Sequence, residues 1–431
     1  MRHLAMSLSA LIISIILLVS GNAFLMTLLG LRMSLEGFNT SVIGWVLVCY
    51  SIGFVLGTLT ANRAIERAGH IRAFAAFAAI LASATLLYVF AVDPIFWAFL
   101  RIVGGFSMAG LLLVMESWFS ATATNSNRGA LFAIYQIVFF LSTAGAQLLV
   151  NLGDPLTFVP FSLAAILVTV ALVPLALTRM QAPHIETVDR ISFGAIFRVA
   201  PTGLIGAMMS GLLASSFYAM GPVYATQIGM PISKLATFMA SAIVAAMLMA
   251  WPIGMICDRY DRRRVLMVAA LVACAAALST AYLGGLHSVI RIGSTGLFVG
   301  LAMSIYPIAV AITNDRMESH QIVAASGSLL LSYGIGSIAG PILGASMMDL
   351  LGPGGLFVGN AGVLLLLAAL TWYRIRHSVD VPVEEQAHFI PTTGESSVIL
   401  SELDPRNEDF HEADLTYPGS GAESEPRVTA S

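Results

Sequence analysis

The chain has 431 residues, of which 58% are hydrophobic and 10% charged. A soluble globule usually carries about 25% charged residues, so that class is excluded and a polytopic membrane protein is expected. The formal net charge of -3 hides two populations: residues 377–431 hold twelve of the 24 acids but only Arg406 and Arg427 of the 21 bases, which leaves a basic body and an acidic end.

Lipid admits helices or closed barrels, and the apolar runs here approach helix length without the roughly ten-residue alternation of barrel strands. The fold class is therefore all-α. Residues 1–23 mimic a signal peptide, with Arg2 and His3 ahead of an apolar run and Ser20, Gly21 and Ala23 behind it. The apolar pattern continues to Leu31, so an uncleaved first span over 8–31 is expected. Further spans are expected over 41–61, 73–92, 95–119, 130–152 and 157–178, closing a six-helix bundle at 1–178. A polar central loop, 179–200, leads to spans over 201–227, 235–256, 265–286, 292–313, 322–349 and 356–374, a second bundle at 201–376. Residues 377–431, acidic and without a sustained apolar period, read as a disordered tail. With the N-terminus inside, 17 of the 21 Lys/Arg fall on inner loops and termini, which predicts both termini in the cytoplasm of a multi-pass protein of the bacterial inner membrane.

Landmarks recur at an offset of 197 to 198: Gly57 with Gly254, Glu116 with Asn314, Gly129 with Gly327, Tyr135 with Tyr333. The agreement of the offset, more than any single match, argues for two parallel six-helix pseudo-repeats. Between the eighth and ninth spans, PIGMICDRYDRRR places Gly254, Asp258, Arg259, Arg263 and Arg264 at the spacing G-x-x-x-D-R-x-x-x-R-R. The loop after the second span, GTLTANRAIERAGHIR, is a partial copy with Gly57 and Arg63 but with Ala61 and Asn62 where an Asp belongs. This spacing resembles the loop after the second or eighth helix of major facilitator transporters. Arg101 in FLRIVGGFSMAG is similar to their fourth-helix R-x-x-q-G motif, with Gly104 in the polar position. ESWFSATATNSNRG (Glu116 to Gly129), AGHIRAF and WPIGMICDRYDRRRVL resemble the YcaD-like branch of that family. The resemblance covers about residues 8–374 and implies the major facilitator fold, twelve transmembrane helices around a midplane substrate cavity.

It also implies roles. The acid after the eighth helix would latch the inner side shut against a helix N-terminus of the other half, worth roughly 0.3 to 2 kcal/mol, so Asp258 is a gate candidate with Gly57, Arg63, Gly254, Arg259 and Arg263. A cation towards lipid centre is costly, so Arg101 is expected to face the cavity or to snorkel outward, with Gly104, Gly105 and Gly110 favouring the cavity. Glu116 stands about 31 Å from Ile95 along its helix, at the inner edge, as a gate residue pairing with Arg128, Arg63 or Arg67. Asn22, Tyr218, Tyr224 and Tyr306 are cavity candidates because helices 1, 4, 7 and 10 line it in that fold. The glycines of G-x-x-x-G-P-x-x-G at 336–344 are read as close packing, with a tilt towards uptake. The function so implied is secondary active transport of a small solute by alternating access, with a proton as the candidate coupling ion. A transporter-derived sensor is the alternative. No G-x-x-x-x-G-K-[ST] loop supports an ATP-driven pump, and Cys49, Cys257 and Cys274 have no metal-ligand spacing. No enzyme activity, cofactor, metal or nucleic-acid partner is expected, and the protein is expected to be a monomer in the lipid bilayer.

Overall fold

Without water in the hydrocarbon layer each backbone group must bond within its own helix, and the described residues include twelve helices long and apolar enough to cross a membrane. The structure is a computed structural model and describes residues 2–178, 193–318, 321–378, 381–394 and 396–404. The first half comprises α1 (Arg2–Leu35), α2 (Thr40–Ala68), α3 (His70–Leu87), α4 (Pro94–Ala121), α5 (Arg128–Leu148), α6 (Val159–Val170) and α7 (Leu172–Leu177), the last two together making the sixth span. A short α8 (Phe193–Val199) precedes the second half, and residues 179–192 of the expected central loop lie outside the described residues. The second half comprises α9 (Pro201–Gln227), α10 (Ile232–Cys257), α11 (Arg262–Leu283), α12 (Ser288–Asn314), α13 (Ile322–Leu351) and α14 (Gly355–His377). Twelve crossings put the start of α1 and the end of α14 on one side, the termini's face.

Local chemistry sets the helix ends. Asp93 caps α4 by accepting from the Phe96 N–H at 2.8 Å, with Pro94 at the first helical position. Asp261 caps α11 through the N–H groups of Arg263 (2.8 Å) and Arg264 (3.0 Å). Residues 62–68, expected as loop, continue α2 to Gly69, whose φ of +80° suits glycine and turns the chain into α3.

The pairings repeat between the halves. Helix α2 packs on α4 as α10 packs on α12, α1 on α5 as α9 on α13, and α3 on α6 as α11 on α14. At the tightest pair, a Cβ on Gly53 would strike the Ile102 carbonyl and one on Gly105 the Tyr50 carbonyl, so α2 and α4 approach backbone to backbone. Gly336 and Gly340 do the same for α13 against α9, the close packing expected of that motif. One asymmetry stands out: Pro222, Pro252, Pro307 and Pro341 lie inside α9, α10, α12 and α13, while α1 to α5 hold no proline beyond a first turn.

The halves meet directly at the face opposite the termini. Ser41 of α2 donates to Asp349 of α13, Gln227 of α9 donates to Thr40 of α2 at 3.0 Å, and Gly44 lies under Pro341 and Ala345.

Part of the region expected to be a disordered tail packs on the bundle. Ile399, Leu400 and Leu403, within a 3₁₀ turn over Val398–Leu403, are buried against α4, α5 and α13. The acidic composition concealed this because the apolar residues that make the contact, Phe389, Ile390, Val398, Ile399, Leu400 and Leu403, are few and scattered. Residues 405–431 lie outside the described residues.

Candidate functional site

A cavity of about 670 Å³ lies between the halves, walled by α1, α2, α4 and α5 on one side and α9 and α13 on the other. Its inner wall is apolar with neutral polar groups. Asn22 donates to the Tyr50 hydroxyl at 3.1 Å, Thr27 donates to Gln147 Oε1 at 2.6 Å, and Tyr218, Ser215 and Ser337 face them from the second half. Among the described residues the charged lining is Arg63 and Glu66, one helical turn apart on the last part of α2. They stand near the termini's face, where Ser396 to Ile399 complete the wall.

Asn22 and Tyr218 thus line the cavity as expected, and Arg63 stands at its mouth. Arg101 does not line it. The guanidinium is buried behind the wall, 4.5 Å from the Tyr50 ring centroid with Nη2 2.7 Å from Met26 Sδ, and Tyr50 and Met26 present the surface instead. The close α2–α4 approach explains this, since it draws Tyr50 across the arginine. Tyr224 is a core residue, edge-on to Phe357 at 4.9 Å. It follows Tyr218 by six residues, about 240° around the helix, so the two cannot share a face. Tyr306 is likewise buried, edge-on to Tyr333, and Tyr333 reaches the cavity.

The expected gate residues gather at the termini's face around the chain beyond α14. Glu116 is fully buried and is not paired with Arg63, Arg67 or Arg128. It accepts from the Tyr135 hydroxyl at 2.5 Å and from the Ser397 N–H at 2.6 Å. Arg128 opens α5, half-buried, with its N–H donating to the Thr124 carbonyl at 2.9 Å. Asp258, at the C-cap of α10, accepts from the Phe389 N–H at 2.7 Å, so its contact is with the tail segment rather than with a helix N-terminus of the other half. Gly254 gives the Phe389 ring its seat, as a Cβ there would come within 3.0 Å of Cδ1. Gly57 packs α2 on Phe106 of α4, Arg259 is exposed, and Arg263 is buried with Nη1 2.7 Å from Ser378 Oγ.

Sequence reasoning missed four participants. Arg262 and Asp315 form a buried ion pair at 2.5 Å, and Arg262 also donates to the Ala387 carbonyl. Tyr50 covers Arg101, a role that the facing glycines of the second and fourth spans could have suggested. Ser397 acts through its backbone, which no side-chain pattern reveals.

The profile of the Major Facilitator Superfamily matches residues 11–327 and 252–403. YcaD of Salmonella heidelberg, described as an uncharacterized MFS-type transporter, is 30% identical over 358 residues, covering 82% of this chain and 92% of the relative. An MFS-type transporter of Yersinia enterocolitica is 32% identical over 352 residues, 80% of this chain and 89% of that protein. Among solved structures, the nucleoside transporter NupG superposes with a TM-score of 0.72 at 16% identity, covering 86% of this chain and all of NupG. The xylose transporter XylE of E. coli gives 0.65 at 11%, covering 88% and 99%. These likenesses support the fold, and the sequence match over most of the chain supports kinship: the chain belongs to the Major Facilitator Superfamily and is a membrane transporter akin to the YcaD-like MFS-type proteins.

Proposed function

We propose that the chain carries a small, uncharged solute with both apolar and hydroxyl- or amide-bearing parts, by alternating access, with both termini in the cytoplasm of a bacterial inner membrane. The observation that carries this reading is the cavity itself: closed at one face by direct contact between the halves, reaching towards the other, and neutral in its interior. Asn22, Tyr50, Gln147 and Tyr218 offer donors and acceptors without a fixed charge, which suits hydrogen bonding to a neutral solute and leaves an ion's desolvation uncompensated. A proton is the coupling ion the buried acids favour. Asp315 is already matched by Arg262, whereas Glu116 has no cation among its described partners and can change charge by protonation.

The test begins with a thermal-shift screen of neutral, anionic and cationic solutes on the purified protein. Counterflow of the best hit is then measured in proteoliposomes with and without an imposed pH gradient. Stabilisation and exchange by neutral solutes, with gradient-driven accumulation lost in Glu116→Gln, is expected. Stabilisation by organic anions alone would refute the substrate class. Accumulation insensitive to the gradient would refute the coupling ion.

A further inference from the structure

Both acids expected at the gate, Glu116 and Asp258, are engaged by the chain beyond α14. The Phe389 N–H donates to Asp258, the Ser397 N–H donates to Glu116, and Arg262, itself paired with Asp315, donates to the Ala387 carbonyl. The first and third contacts belong to the second half and the Ser397 contact to the first, so one segment ties both halves. Between these ties Gly394 crosses the Tyr333 ring where a Cβ would have no room, and just past the last of them Val398 lies 3.6 Å from the position of a Cβ on Gly327. Beyond them, Ile399, Leu400 and Leu403 fill space among α4, α5 and α13.

We propose that the chain from Ala387 to Leu403 is an autoinhibitory strap, a wedge built into the protein that blocks the cavity mouth and keeps the two halves apart at the termini's face until it is displaced. The proposal rests on the alternating-access reading above, because a carrier that must close at this face cannot do so while α4 and α13 are separated by buried leucines. Its strength need not be large. About nine residues link His377 to Ala387, and so short a tether holds the segment at an effective concentration on the order of millimolar. Weak contacts then suffice to keep the mouth filled, and a modest competing interaction suffices to empty it. The use of backbone N–H groups as donors to Asp258 and Glu116 also means that the strap occupies the acids that would otherwise be free to hold the halves together.

The experiment uses the full chain with Cys49, Cys257 and Cys274 replaced by Ser and a single reporter, Ser337→Cys, on the cavity wall. Three proteins are compared for labelling by a polar maleimide added from the termini's face: the full chain, the chain ending at residue 380, and the full chain carrying Leu400→Asp and Leu403→Asp. Strap release should speed labelling about tenfold in both altered proteins, as expected when a local opening equilibrium is removed. A synthetic peptide of residues 381–404, added at about millimolar concentration, should slow the shortened chain again. Each protein is first shown to be monodisperse with an unchanged melting temperature in micelles. If the shortened chain fails that check, the leucine variant and the peptide competed against it carry the comparison. Equal labelling in all three, within about twofold, overturns the strap. So does acceleration in the shortened chain that the peptide cannot reverse. Solute exchange is read in parallel to separate the two ideas. Faster labelling with no exchange by the strapless chain would sustain the strap and count against alternating access. Unchanged labelling beside brisk exchange by the full chain would do the reverse.

Discussion

At the face away from the termini the two halves meet helix to helix, through Ser41 with Asp349, Gln227 with Thr40, and Gly44 under Pro341. At the termini's face the same halves are joined through an inserted stretch of chain that holds Glu116 on one side and Asp258 on the other. Contacts of the first kind involve short side chains on rigid helices and can break and re-form as the helices tilt. Contacts of the second kind require a segment to leave its seat before the helices can approach. The closures look alike from the cavity, yet opening one is a rigid-body event and opening the other includes a local unfolding step.

Three substitutions bear on this difference. The largest effect is expected for Asp315→Ala, which leaves Arg262 buried without its carboxylate, at a cost of about 3–5 kcal/mol. Arg262 also grips Ala387, so a lower melting temperature in micelles should come with faster labelling of Ser337→Cys from the termini's face, while labelling from the opposite face stays as it was. Next is Gly44→Leu at the other end. A Cβ added there would lie 2.6 Å from Ala345 Cβ and 2.9 Å from the Pro341 carbonyl, and such overpacking costs about 1–3 kcal/mol. Labelling of the same reporter from the opposite face should rise roughly fivefold to a hundredfold. A rate unchanged by this substitution would mean that Gly44 does not seal that end. The smallest effect is expected for Asp258→Asn. The side chain is partly exposed and the amide oxygen can still accept from Phe389, so labelling from the termini's face should rise about two- to threefold.

The transmembrane frame was legible because hydropathy over about twenty residues is a strong signal: α9 coincides with its expected span, and α13 starts where expected and ends two residues later. The loop motif drew attention to Asp258 and Arg263, but the spacing carried no information about their partners. Asp258 meets a residue 131 positions away and Glu116 one 281 positions away, both through backbone N–H groups that every non-proline residue possesses. The Arg262–Asp315 pair was hidden by separation as well, since Arg262 looked like one of several inside-facing cations. Arg101 is buried rather than lining the cavity, which the periodicity of α4 alone does not reveal because it does not show that Tyr50 of α2 lies across the arginine.

The four prolines confined to α9, α10, α12 and α13 give the molecule a mechanical polarity. Each removes an N–H from the helical ladder four residues after the carbonyl it would have served, so Pro222 releases the carbonyl of Tyr218 and Pro341 that of Ser337. Tyr218 and Ser337 both line the cavity, so the points where these helices bend most readily coincide with the cavity wall. The first half, with unbroken ladders in α1 to α5 and glycine contacts locking α2 to α4, resists such bending. Bending is then easier in α9, α10, α12 and α13 than in α1 to α5, which form the stiffer part of the bundle.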